Sequence, residues 1–195
     1  MTTQAWWYLA RASGIVAWAL LVASVAWGVL LTTRVLRPHD SPAWLLDLHR
    51  WLGGLAVATI ALHVAALVAD TYVHFGAADV LVPFASAWRP LAVALGVVAG
   101  WGVVAVQVTS VAMRHLPRRA WHAIHLTSYM TVWLASIHAG LAGSDTVNFA
   151  YRAVAVALTA VAAAAMLTRA RAGRRGHRAR PRRPRTNATI PTPMR

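Results

Sequence analysis

The chain has 195 residues, of which 58% are hydrophobic and 12% are charged, whereas about 25% of the residues in a soluble domain are charged. It contains no cysteine, which excludes disulfides, thiolate-ligated iron–sulfur clusters and cysteine-based catalysis and leaves histidine as the main candidate metal ligand. The formal net charge is +14, and every basic residue other than histidine is an arginine. Together these properties indicate an integral membrane protein.

Five apolar segments follow one another along the chain, each near the ~20 residues needed to cross the hydrocarbon core of a bilayer. They cover about 14–33, 45–69, 91–113, 120–141 and 149–168. The aromatic residues before the first segment suit a membrane interface, and so does the apolar middle of the loop between the second and third segments. The sequence therefore predicts an all-α bundle of about five transmembrane helices in a domain of residues 1–168.

The arginines are distributed unevenly among the loops. The loops after the first and third segments hold five arginines and the part of the chain after Thr168 holds ten, whereas the second loop holds only Arg89. By the positive-inside rule, the arginine-rich segments are cytoplasmic and the N-terminus is outside. Residues 169–195 are too polar, and too often interrupted by proline and glycine, to fold alone. We expect them to form a disordered cytoplasmic tail that binds anionic lipid headgroups.

Histidines occur within two of the apolar segments, His49 and His63 in the second and His122, His125 and His138 in the fourth. An ionisable side chain in hydrocarbon is costly and normally has a partner and a function, and imidazole is the commonest metal ligand in proteins. The predicted orientation makes the two segments parallel. Each would then carry a histidine at two matching depths.

The spacing of these histidines predicts which ones pair. Fourteen residues separate His49 from His63, a helix rise of about 21 Å, and the thirteen between His125 and His138 correspond to about 20 Å. His49 would face His125, and His63 would face His138, with a planar macrocycle between the members of each pair. Fourteen steps return within ~40° of the starting face of a helix, but thirteen miss it by ~140°. The fourth segment must therefore twist, tilt or bulge, and a single π-bulge would absorb one residue.

Other interpretations of the histidines stay open at this point. His122 lies one turn before His125 and could replace it as the ligand, although its separation from His138 matches the second segment less well. The histidines could also hydrogen-bond between helices and bind nothing. A structural zinc site needs its ligands clustered within a few ångströms, which pairs about 20 Å apart do not provide.

The His49/His63 pair and the run Trp121-His-Ala-Ile-His125, followed by His138-Ala-Gly, resemble the ferric reductase-like transmembrane domain family. Tyr129 and the Gly-Ser-Asp turn at 143–145 add to this resemblance, which covers roughly residues 5–168. The family includes the membrane domains of NADPH oxidases and ferric reductases and the haem subunit of bacterial methionine sulfoxide reductase systems.

The resemblance implies a b-type cytochrome of the bacterial plasma membrane that carries electrons across the bilayer through two bis-histidine haems b. The cofactor-binding and metal-ligating residues it implies are His49, His63, His125 and His138. Arg50 and Arg119 flank the cytoplasmic haem level and are candidates for binding propionates bidentately; plain topology marking explains them equally well. The chain shows no glycine-rich nucleotide motif after the last segment, so we expect a separate reductase as the electron donor.

Two functions from other classes remain as alternatives, a haem-free histidine-lined transporter or proton conduit and a structural membrane subunit. No nucleic-acid partner is expected. Trp51, Trp121 and Trp133 could pack on a macrocycle, but a place in the membrane interface or in helix packing explains most such tryptophans. Gly53 and Gly54 could admit a macrocycle close to the helix or allow close helix packing, and close packing is the preferred interpretation. Asp145 is expected to be a solvated loop residue.

Overall fold

The computed structural model describes residues 3–34, 42–143, 145 and 147–178. Within these ranges it consists of α-helices and one short 3₁₀ helix, with no strand. The helices are α1 (Thr3–Thr33), α2 (Pro42–Ala69), α3 (Ala77–Leu81), α4 (Pro90–Val111), α5 (Arg118–Leu126), α6 (Ser128–Ala142) and α7 (Phe149–Arg178), and the 3₁₀ helix covers Met113–His115. The predicted all-α class is confirmed.

Four helices in the described part of the chain are long and apolar enough to cross a membrane: Gln4–Thr33, Ala43–Ala69, Pro90–Val111 and Phe149–Arg174. Many of their large apolar side chains are exposed, among them Trp51, Val111 and Val156. Such a surface is suited to lipid, because a soluble protein rarely exposes so large a continuous apolar area. The helices therefore form a bundle of the kind found in membrane proteins.

The fourth apolar segment is divided into two helices, α5 and α6, at Thr127. The Thr127 hydroxyl donates a 2.6 Å hydrogen bond to the Ile124 carbonyl, and the Thr127 backbone N–H bonds to the same oxygen at 3.0 Å. Threonine that bonds back to its own helix in this way tightens and bends the helix. The irregularity that we expected in this segment is therefore present, as a tight turn rather than as a π-bulge.

α1 is the central helix of the bundle. It packs along α2 and also contacts α6 and α7. A buried apolar cluster joins α1 to α6 and α7, formed by Trp18, Val22, Val25, Val132 and Ala162. α4 packs mainly on α6. The bundle thus has two closely packed pairs, α1 with α2 and α4 with α6.

The loop between α2 and α4 folds onto the side of the bundle. Phe75 in this loop packs with Val93 and Val97 of α4. The side chains of Leu81, Val82 and Phe84 remain exposed, in the part of the loop that we expected in the membrane interface. The packing of this loop on α4 stabilises the N-terminal end of that helix.

Two polar contacts tie helix ends together. Arg11 of α1 forms an ion pair with Asp145 in the turn between α6 and α7, and Arg89 donates a 2.7 Å hydrogen bond to the Leu141 carbonyl near the end of α6. The expectation that Asp145 is a solvated loop residue is therefore wrong, because Asp145 neutralises an arginine that projects from a neighbouring helix.

Two helix boundaries differ from the predicted segments. α1 begins at Thr3, well before residue 14, so its first turns contain the aromatic residues assigned to the interface. α7 continues to Arg178, although we expected disorder from residue 169. Alanine and arginine are strong helix formers and extending an existing helix is easy. The rest of the arginine-rich tail, 179–195, lies outside the described residues.

Candidate functional site

His49 of α2 and His125 of α5 lie side by side. Their ring centroids are 6.0 Å apart and the planes are inclined at 72°. Two metal–nitrogen bonds of about 2.0 Å, plus roughly 1 Å from each nitrogen to its ring centre, place two imidazoles on opposite sides of one ion about 6 Å apart. The separation of the two rings therefore suits a pair of histidines that share one metal ion.

His63 of α2 and His138 of α6 form the second pair. They are close enough for an electrostatic interaction between the two rings. In sequence, His63 follows His49 by fourteen residues and His138 follows His125 by thirteen. The structure thus brings His49 and His125 together as the helix rise predicts, despite the break at Thr127, and places His63 within range of an electrostatic interaction with His138.

A neighbouring helix holds the Nδ1 atom of each histidine. Nδ1 of His63 bonds to the Ala10 carbonyl and Nδ1 of His138 to the Ala92 carbonyl, both at 2.7 Å. Nδ1 of His49 lies 3.0 Å from the Ser24 carbonyl. Because a carbonyl can only accept, these three Nδ1 atoms carry the proton and Nε2 keeps its lone pair.

His125 differs from the other three in its partner. Its Nδ1 lies 3.3 Å from the hydroxyl oxygen of Ser110, on α4. A hydroxyl can donate or accept, so the tautomer of His125 is less firmly fixed. The contact nevertheless leaves Nε2 as the nitrogen available for a ligand. A histidine that binds a metal through one ring nitrogen usually forms a hydrogen bond with the other ring nitrogen.

Three of the rings also rest directly against glycines. A Cβ built on Gly14 would lie 3.0 Å from Cε1 of His63, and one on Gly28 would lie 3.3 Å from Cε1 of His49. The tightest case is Gly96, where a Cβ would lie 2.6 Å from Cε1 of His138. Any larger residue at Gly96 would therefore displace the imidazole or separate α4 from α6.

The histidine pairs occupy a region in which the helices stand apart. Among the described residues, α2 packs closely on α1 but approaches α4 only briefly and α6 hardly at all. Gly54 on α2 and Gly100 on α4 face open space, since a Cβ on either would meet no atom within 4 Å. Gly54 therefore does not mediate the close packing that we expected. The histidine-bearing helices α2 and α6 are therefore not packed closely against each other.

Two tryptophans near the His49/His125 pair have buried indole N–H groups with no hydrogen-bond partner. These are Trp121, whose ring stacks on His125 with centroids 5.1 Å apart, and Trp27 of α1. Leaving a buried donor unsatisfied costs about 1–3 kcal/mol. A buried polar group of this kind is normally paired with an ordered water or with another group outside the polypeptide.

The other predicted residues lie further out. His122 is exposed at the surface of α5, and its ring is 6.1 Å from that of Trp121. Arg50 is exposed and bonds to Asp47 at 3.4 Å, and Arg119 is exposed in the first turn of α5. Neither arginine contacts a histidine of the pairs through a described hydrogen bond or ion pair, so their role as propionate ligands stays a prediction.

The supporting groups were not predicted, although the sequence carries a signal for them. Gly14 and Gly28 are fourteen residues apart on α1, and Gly96 and Ser110 are fourteen apart on α4. This spacing repeats that of His49 and His63. The signal in the sequence is therefore a pair of small residues on α1 and on α4 with the same fourteen-residue spacing as the histidines.

The described residues contain no group of three or more histidine, aspartate or glutamate side chains that could hold a metal ion. No protein-family model, curated protein or solved structure matches the chain.

Proposed function

We propose that the chain is a b-type cytochrome that carries electrons across a membrane through two haems, each held by a pair of histidines. The observation that supports this most strongly is the hydrogen bonding of the four imidazoles. Each has Nδ1 close to a hydrogen-bonding group on a neighbouring helix, which leaves Nε2 as the nitrogen available to a metal.

In this proposal His49 and His125 hold one haem and His63 and His138 hold the other. Each bound haem supplies an iron that accepts and releases one electron. The protein fixes the imidazoles by their Nδ1 bonds, which also raise the basicity of Nε2 as a ligand. The apolar helices around the pairs exclude water, and polarity and hydrogen bonding around a haem set its reduction potential.

The distribution of arginines supports an orientation for this electron path. Arg114, Arg118 and Arg119 lie at the end of the bundle that holds the His49/His125 pair, and the positive-inside rule makes that end cytoplasmic. Electrons would enter there from a separate reductase and pass to the His63/His138 pair near the outer surface. The chain acts as the haem component of a reductase system, in line with its resemblance to the ferric reductase-like family.

The visible absorption spectrum of the detergent-purified protein tests this function. We expect a sharp Soret band that shifts on reduction with dithionite, with the α band of a six-coordinate b-type haem. His74→Ala is a suitable control, because His74 lies in the loop after α2 rather than in a pair, and should leave the spectrum unchanged. A colourless, folded protein that takes up no added haem would reject the proposal and favour a haem-free transporter or a structural subunit.

A further inference from the structure

The indole N–H groups of five tryptophans differ in whether they have a hydrogen-bond acceptor. Those of Trp18, Trp101 and Trp133 each have an acceptor, in Ser136, the Leu81 carbonyl and the Met166 sulfur respectively. Those of Trp27 and Trp121 are buried without one. The two unpaired donors come from different helices.

Both unpaired indoles lie beside the same histidine pair. Trp121 stacks on His125, which it precedes by four residues. Trp27 lies three residues after Ser24 and directly before Gly28, the two positions of α1 that hold His49. Since residues three or four apart share a helix face, Trp27 is on the face that seats His49.

The two indoles are displaced from the histidine pair in the same direction. Four residues correspond to about 6 Å along α5, toward its N-terminal end and the arginine-rich loop. The ring of Trp27 is 6.1 Å from that of Trp44, which lies five residues before His49 on α2. Both donors therefore lie on the side of the pair that faces the nearer end of the bundle.

We propose that Trp27 and Trp121 donate hydrogen bonds to the propionate carboxylates of the haem held by His49 and His125, an inference that rests on the proposed function. A haem has one polar edge, and a carboxylate is expensive to leave in hydrocarbon. Its propionates therefore point to the nearer water phase, the side on which both indoles lie. Charge-assisted bonds from neutral N–H donors stabilise such an anion and satisfy the buried indoles.

The two indoles are better placed to bind the propionates than Arg50 and Arg119 are. Arg50 already bonds to Asp47, and both Arg50 and Arg119 are exposed. Water and salt weaken the attraction between an exposed guanidinium and a propionate, whereas a hydrogen bond from a buried indole N–H is shielded from both. The indoles determine how firmly and in which orientation this haem is held.

The release of haem to an excess of apomyoglobin tests the assignment on the haem-loaded protein. The phase that His49→Ala abolishes identifies haem from the first pair. Trp27→Phe and Trp121→Phe, which keep an aromatic ring but lose the N–H, should each accelerate that phase about tenfold, equivalent to ~1.4 kcal/mol. The other phase should not change. Trp18→Phe and Trp133→Phe, whose indoles have protein acceptors, are the matched controls and should leave the first phase unchanged.

A second comparison separates hydrogen bonding from packing. Haem dimethyl ester, whose propionates carry no charge, should leave the wild-type protein faster than haem does. In the Trp27→Phe/Trp121→Phe variant the ester and haem should be released at nearly the same rate, because the groups that distinguish them are gone. The ester comparison in the single variants decides the question even if the double variant binds too little haem.

The outcomes separate this inference from the proposed function. A haem-loaded wild-type protein in which both tryptophan variants release haem at the wild-type rate would overturn the inference and leave the cytochrome intact. The inference would also be overturned if the ester is released faster than haem by the same factor in the wild type and in the variants. The indoles would then serve packing or bind an ordered water. A wild-type protein that binds no haem would overturn both.

Discussion

The imidazole of each proposed ligand histidine is positioned by groups on a neighbouring helix. His138 illustrates this most clearly, because its Nδ1 bonds to the Ala92 carbonyl while its ring rests on Gly96 one turn later. The carbonyl sets the tautomer and the glycine sets the distance of the ring from α4. An imidazole held at two points loses little freedom when it binds a metal, which favours binding.

Gly96→Ala tests the role of the glycine seat. Alanine is the better helix former by about 1 kcal/mol, yet its Cβ would lie 2.6 Å from Cε1 of His138. We expect the variant to lose affinity for the outer haem by about 10- to 100-fold, the range seen when the supports of a metal ligand are removed. Haem titration of the purified apoprotein measures this.

Gly140→Ala is the matched control, since a Cβ on Gly140 of α6 meets no atom within 4 Å. It should bind both haems normally and unfold at the same or a higher temperature. Normal haem affinity in Gly96→Ala would mean that α4 and α6 separate freely, and that the glycine is not needed to seat His138.

His122 and His125 are the alternative partners of His49 as metal ligands. His125 is 6.0 Å from His49 and bonds to Ser110, whereas His122 is exposed. We expect His125→Ala to remove one of two steps in a redox titration followed in the α band, and His122→Ala to keep both. Loss of a step in His122→Ala alone would make His122 the ligand, while the two-level arrangement would survive.

The sequence predicted four long apolar helices and the closeness of His49 to His125, because the first follows from hydropathy and the second from helix rise and loop charge. The break at Thr127 was not located, because a threonine bonds back to its helix only where the surrounding packing allows it. The Nδ1 partners on α1 and α4 were missed for a similar reason. Backbone carbonyls such as those of Ala10 and Ala92 carry no residue-type signal, and their use depends on how two helices pack.

Truncation after Arg178 tests which elements the site requires. All four histidines, their Nδ1 partners and the glycine seats precede this point, so the truncated protein should keep its haem content and redox steps. The haem-to-protein ratio of the main size-exclusion peak measures this. Truncation after Thr168 is a stricter version, because it removes the polar end of α7 and keeps Ala162 and Ala165, which are buried. Loss of haem from a well-expressed truncation would show that the tail contributes to the site.

At the scale of the whole molecule, the bundle consists of two similar halves. In one half α1 supports the two histidines of α2, and in the other α4 supports His125 of α5 and His138 of α6. In both halves the supporting positions recur at an interval of fourteen residues, as Gly14 and Gly28 or as Gly96 and Ser110. The two halves are joined by the packing of α1 on α6, whereas α2 approaches α4 only briefly.

The haem-to-protein ratio, measured by the pyridine haemochrome method, tests the central claim most directly. We predict a ratio near two for the wild-type protein, because each half presents a histidine at two levels. His49→Ala and His125→Ala should each lower it to about one and leave the same haem, and His63→Ala and His138→Ala should leave the other. A wild-type ratio near one would contradict the two-haem arrangement, and a ratio near zero in folded protein that takes up no added haem would contradict the account as a whole.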